Sequence, residues 1–145
     1  MKRIETSIVI NRPIEEVFAY VTNPDNDTQW QSGLLESELV GEGPLGVGAK
    51  TREVRKFMGR RLESIAEVTE YEPNAKIAFK STSGPVQYEA SYTFEPVEGG
   101  TKFTMVGEAE TGGFFKLAEG LVVRQFEKET QTALAALKDT LEGQA

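Results

Sequence analysis

Glu53 and Arg55 stand two residues apart in the segment TREVRKF. On a strand, that spacing puts a carboxylate and a guanidinium on one face. The pair matters because of what the chain lacks: there is no histidine and no cysteine. That removes the imidazole of a serine triad, imidazole and thiolate metal ligands, and disulfides. Acid–base chemistry is left to groups such as Glu, Arg and Tyr. Glu108 with Glu110, and Glu63 with Glu67, also share strand faces, and charged faces of antiparallel strands ordinarily meet solvent. The strand holding Glu53 and Arg55 has no clearly polar or apolar face, so this pair is the one free to point inward. No metal or cofactor is expected. Counted as a calcium loop from Asp25, the sequence has Trp30 where glycine is required, so Asp25-Asn26-Asp27 reads as a helix cap. The glycines of GEGPLGVG precede neither Gly-Lys-Ser/Thr nor a helix, which excludes a phosphate loop.

The elements that must position these groups are readable from periodicity. Ile4, Thr6, Ile8 and Ile10 alternate with polar positions and predict a first strand. Pro13 opens a helix with Glu15 and Glu16 at its positive end and Val17, Phe18 and Val21 on its apolar face. Asn23-Pro24 ends it, and Asp25 to Trp30 makes a second short helix. Strands follow at 34–40, 49–58 and 61–71, with a hairpin turn at Met58-Gly59-Arg60. Further strands carry Ile77 and Phe79, then Tyr88, Ala90, Tyr92 and Phe94, then Phe103 and Met105. Strands so closely spaced by turns indicate an antiparallel meander. After Gly113 the period becomes 3.6. Phe114, Ala118, Val122, Phe126, Thr130, Ala133, Leu137 and Leu141 form one stripe of a long helix, with Leu117, Leu121 and Leu134 beside it. Gly120 interrupts that helix, which reads as close packing on the sheet or fraying near its start, or as a device that opens a cavity mouth.

The tyrosine-rich strand and Phe103-Met105 face the long helix. Ser64 and Ala66, if inward, are small, and Gly107 and Ala109 share the face of Phe103 and Met105. The aromatic and aliphatic residues of this face either only fill the core or in part line a pocket with tyrosine hydroxyls as polar anchors. Small side chains in a curved sheet favour the second by leaving volume. Trp30 is either a staple under the short helices or a wall of that pocket. The candidate ligand-binding residues are Trp30, Glu53, Arg55, Ser64, Ala66, Tyr88, Tyr92, Phe103, Met105, Phe114, Leu117 and Leu121.

With 145 residues the expectation is one domain over 1–145, large enough for a real core. Sixteen basic against 23 acidic residues give a net charge of −7, which disfavours a nucleic-acid partner. The basic cluster Arg52, Arg55, Lys56, Arg60 and Arg61 is interleaved with Glu53 and Glu63 and reads as a solvated hairpin. No apolar run reaches the roughly 18 residues of a membrane span. MKRIETSIVI lacks the apolar core of a signal peptide. A cytoplasmic location is the default expectation. A homodimer stays open, because exposed strand edges cannot be told from solvent faces in the sequence.

An ordered set of short matches completes the reading: Pro13 with Glu16-Val17-Phe18, Asn23-Pro24 leading to Trp30, and GPLGVGAK into Arg52-Glu53-Val54. It continues with Glu67 to Pro73, Tyr92-Thr93-Phe94-Glu95-Pro96, Gly100-Thr101 and Leu137-Lys138. The chain resembles, over nearly its whole length, the polyketide cyclase/dehydrase branch of the SRPBCC superfamily, which includes START lipid-transfer domains and birch-pollen-allergen-like proteins. The resemblance implies an α+β helix-grip fold. In that fold a curved seven-stranded antiparallel sheet wraps around the long C-terminal helix, with two short helices after the first strand. It implies an apolar cavity for a small hydrophobic, lipid- or polyketide-like molecule. It supplies no universal catalytic residue. The leading expectation is binding or carriage of such a ligand. The alternative is a cyclase or dehydratase that uses Glu, Arg and Tyr groups in the cavity. An interaction module is a third reading, with the acidity arguing against ribosome binding.

Overall fold

The computed structural model describes residues 2–31, 33–41, 44–84, 86–110 and 119–143. Strand β1 (Lys2–Ile10) leads into two short helices, α1 (Ile14–Val21) and α2 (Pro24–Trp30). Six strands follow: β2 (Leu34–Val40), β3 (Lys50–Phe57), β4 (Arg60–Glu72), β5 (Lys76–Ser83), β6 (Gln87–Val97) and β7 (Gly100–Glu110). Helix α3 (Glu119–Glu142) ends the described chain. All seven strands form one antiparallel sheet in the order β1-β7-β6-β5-β4-β3-β2. This is the helix-grip architecture that the periodicities and the resemblance predict.

Local chemistry sets the joins. Pro13 precedes α1, and the Asn23 side chain caps α2 by accepting from Asp25 N at 3.1 Å, with Pro24 in the first turn. The cap is therefore Asn23, and Asp25 and Asp27 lie inside the first turn. Met58 and Gly59 join β3 to β4 with φ of 51° and 80°, the left-handed pair that a two-residue hairpin turn requires. Register shifts at Leu34/Glu36, Ile65/Ala66 and Val68/Glu70 add curvature through extra residues on β2, β5 and β4 respectively. Gly100 is required for a different reason: a Cβ there would lie 2.1 Å from Ile10 O.

The sheet curls so that α3 packs against β1 and α2. Val122, Thr130, Ala133, Leu134, Leu137 and Leu141 are buried on α3, as the helical stripe predicts. The main core joins the second half of α3 to Ile10, Val17, Phe18, Trp30, Val68, Ile77, Phe94 and Phe103. Burying a large apolar side chain contributes roughly 1.5–3 kcal/mol, so this end of the layer carries much of the stability. Around Gly120 nothing among the described residues comes within 4 Å of an added Cβ.

On the outer sheet face Arg52 pairs with Glu63 at 2.7 Å, Glu38 at 3.4 Å and Glu36 at 3.6 Å, and Arg61 reaches Glu36 at 3.5 Å. Arg52 and Arg61 thus fit the solvated-hairpin reading. Arg55 departs from it and turns inward.

Candidate functional site

Along the inner sheet face small side chains gather away from the filled end. On β7 the sequence is Phe103, Met105, Gly107 and Ala109; on β6 it is Phe94, Tyr92, Ala90 and Tyr88; on β4 it is Val68, Ala66, Ser64 and Leu62. Register aligns these series, pairing Phe94 with Phe103, Tyr92 with Met105 and Ala90 with Gly107. Opposite residues of an antiparallel pair share a face, so the small residues fall side by side. The first half of α3 spans this end with Val122, Val123, Phe126 and Thr130, and a cavity of about 210 Å³ remains. A Cβ on Gly107 would find only Phe126 Cε1, at 3.9 Å.

A polar ridge crosses the mostly apolar wall. In register, Ser37 opposes Glu53 and Glu53 opposes Ser64, while Arg55 lies between Leu34 and Leu62. Arg55 Nη2 donates to Glu53 Oε2 and to Gln31 Oε1, both at 3.0 Å. Burial alone would lower the Arg55 pKa, but Glu53 beside it leaves the net shift upward, so the guanidinium stays charged. Tyr88 and Tyr92 are held above the ordinary phenol range, first by burial and then by the negative charge of Glu53. Both keep their protons at neutral pH and remain hydrogen-bond donors.

Behind the ridge, Asp27 of α2 accepts from Ser37 Oγ at 2.9 Å. Burial raises its pKa from 3.8 to about 7; the Ser37 hydrogen bond opposes this, Glu53 adds to it, Arg55 opposes it and Asp25 adds a little. On α3, burial raises the Glu129 pKa against the opposing Gln125 hydrogen bond and the Arg55 charge. Asp27, Gln31, Glu53, Arg55, Tyr88, Tyr92 and Glu129 therefore form one interacting cluster drawn from α2 and the residue after it, α3, β3 and β6.

Seven of the candidate residues line the cavity: Glu53, Arg55, Ser64, Ala66, Tyr88, Tyr92 and Met105. Phe103 is fully buried and Trp30 is 2% exposed, and both sit behind the wall within the core. Trp30 packs edge-on against Tyr92 and Phe103 at 6.4 and 6.2 Å, so it is a staple, not a wall. Its Nε1 has no hydrogen-bond partner among the described residues. Leu121 is 60% exposed, because it lies about 100° around the helix from the inward Val122. Phe114 and Leu117 lie outside the described residues. The sequence reads Asp27 only as part of a helix cap and does not single out Glu129 or Gln31, which follows the last turn of α2. Asp27 and Gln31 reach the ridge through Ser37 and Arg55 on other elements, so no local spacing marks them.

A curled antiparallel sheet gripping a helix, with a mostly apolar cavity between them, defines a helix-grip protein. The chain belongs to the family described as polyketide cyclase / dehydrase and lipid transport, whose pattern it matches over residues 1–142. No curated protein matches it in sequence. Among solved structures it is similar to a Thermus thermophilus protein at 20% identity and a TM-score of 0.86, with 99% of each chain covered. It is similar to a START superfamily protein from Mycobacterium smegmatis at 17% identity and a TM-score of 0.81, again over 99% of each chain. It is also similar to the di-domain aromatase/cyclase BexL of the BE-7585A biosynthetic pathway at 22% identity and a TM-score of 0.74. That match covers 98% of this chain and 47% of BexL. At these identities the likeness concerns the fold. No helix among the described residues is long and apolar enough to cross a membrane.

Proposed function

We propose that this protein binds and carries a small hydrophobic molecule with one polar head, held between the sheet and α3. The observation that supports the reading is the cavity wall: apolar and small side chains interrupted by one polar ridge of Glu53, Arg55, Ser64, Tyr88 and Tyr92. Burial of the ligand's apolar body supplies the affinity, at roughly 25 cal/mol per Å². The ridge supplies orientation, since an unmatched polar head facing it would leave buried groups unpaired. The test is native mass spectrometry of the protein soaked with a lipid and polyketide-like library, paired with melting curves. Retained ligands that raise the melting temperature are the expected result. A protein that emerges empty, with no shift for any compound, refutes the reading.

A second reading is supported by the carboxylate in the wall. A cyclase or dehydratase acting on a polyketide-like carbonyl compound needs a base, a proton donor and a positive group near the developing oxyanion. Glu53, Tyr92 and Arg55 have those three chemistries within one cluster. Under this reading Glu53→Gln lowers turnover of a poly-β-keto substrate by about 10²–10⁴-fold while binding persists. Equal turnover by the wild type and the variant removes Glu53 from any catalysis.

A further inference from the structure

We infer that the cavity selects by head-group charge, accepting a small ring compound whose head is an uncharged hydrogen-bond donor, such as a phenol, and rejecting the carboxylate of the same shape. This deepens the binding reading and rests on it.

Arg55 is the one cationic side chain among the described residues that line the cavity. It is already committed, with Nη2 shared between Glu53 Oε2 and Gln31 Oε1. An incoming carboxylate must displace Glu53 or lie beside it. The remaining charges around the cluster are acidic. Asp27 stands behind the wall on α2 and Glu129 faces Arg55 from α3. Glu89 and Glu108 alternate with the inward residues of β6 and β7 and lie on the outer face, so the charges that bear on the ridge are those of Glu53, Asp27 and Glu129. Among the described residues Glu53 Oε1 makes no hydrogen bond, because only Oε2 is used on Arg55. It is an acceptor that a donor head satisfies and an anionic head repels. Tyr88 and Tyr92 flank it with hydroxyls that both donate and accept.

Size narrows the class further. About 210 Å³ equals the liquid volume of about seven waters. That lies below the roughly 300–1,000 Å³ of pockets for drug-sized ligands. A fused bicyclic ring matches that volume.

The experiment is calorimetric titration of the intact protein at neutral pH with naphthalene, naphthol and naphthoate. Naphthol is expected to bind at least about tenfold more tightly than naphthoate. A smaller preference, or one for naphthoate, overturns the inference. In Glu53→Gln, which frees Arg55, the preference is expected to collapse or reverse; an unchanged ratio also overturns it. If that variant fails to fold, Glu129→Gln serves instead, and its preference for naphthol is expected to fall while an unchanged ratio counts against the charge argument. Naphthalene separates the two levels. Its binding with no naphthol preference leaves the cavity reading standing and removes the selectivity. If none of the three compounds binds, the cavity reading falls and takes the inference with it.

Discussion

Phe103 and Gly107 stand four residues apart on the same face of β7, and the molecule changes character between them. At Phe103 the sheet and α3 are filled: the ring is fully buried and packs against Phe94, Tyr92 and Trp30 at centroid distances of 5.1, 5.5 and 6.2 Å. At Gly107 the same two layers enclose empty volume. Backbone geometry continues unbroken from one to the other, since β6 and β7 keep register from Val97–Gly100 through Gln87–Glu110. Side-chain volume on the shared face separates a filled core from a cavity. Under the proposed binding role, stability and ligand capacity reside at opposite ends of one layer and should respond to different substitutions.

The largest effect is expected at the filled end. Phe103→Ala should cost about 3–5 kcal/mol and lower the melting temperature sharply. A loss under about 1 kcal/mol would mean that the filled end does not carry the fold. Next comes the ridge. Arg55→Met leaves Glu53 with no cation at hydrogen-bond distance among the described residues and should cost about 2–4 kcal/mol by denaturant titration. The double variant Glu53→Gln/Arg55→Met should recover part of that loss.

The effect at Asp27 is smaller and depends on pH. The folded chain holds this proton to about pH 7, whereas the unfolded chain releases it near 3.8. Between those values the folded state binds more protons, so this group's contribution is fullest at low pH and is lost as pH rises toward 7. Asp27→Asn, which keeps an acceptor for Ser37, should therefore gain on the order of 2 kcal/mol over the wild type at pH 7 and lose most of that advantage near pH 4. A pH-independent difference would show that Asp27 titrates normally. The smallest stability change is expected at the hollow end. Gly107→Val should move stability by less than about 1 kcal/mol, because it grows into open space toward Phe126. The same substitution should weaken ligand binding severely, and unaltered binding would break the assignment of the two ends.

The fold was legible because its periods are clean. β6 alternates without interruption, α3 repeats at 3.6, and each hairpin is marked by a glycine or asparagine at positive φ, as at Gly59, Asn74 and Gly99. The site was legible only in part. In β3 the two faces read Thr51-Glu53-Arg55-Phe57 and Arg52-Val54-Lys56, with no polar contrast to choose between them. The choice is made non-locally, by pairing Glu53 with Ser64 and Arg55 with Leu62. Asp27 resembled a surface cap because its partner Ser37 lies on the next strand, and nothing local announces that contact. Leu121 and Val122 are equally apolar, so only the rotation of the packed helix tells the solvent-facing leucine from the cavity-facing valine.

The pairing of β1 with β7 has a kinetic consequence. Ile10 meets Thr101 and Lys2 meets Ala109, so the first strand waits for partners about a hundred positions away. The last helix then packs on that same first strand, where Lys138 Nζ donates to Val9 O and Glu142 accepts from Asn11 N. Closing such long loops is entropically costly and slow. On the ribosome, which adds about 5–20 residues per second, β1 would emerge seconds before β7 exists. Its alternating isoleucines would spend that interval as an unpaired edge, the state in which a strand is most open to wrong partners. The nascent chain is most exposed to aggregation then, and the cavity, roofed by α3, forms only after all seven strands have been made.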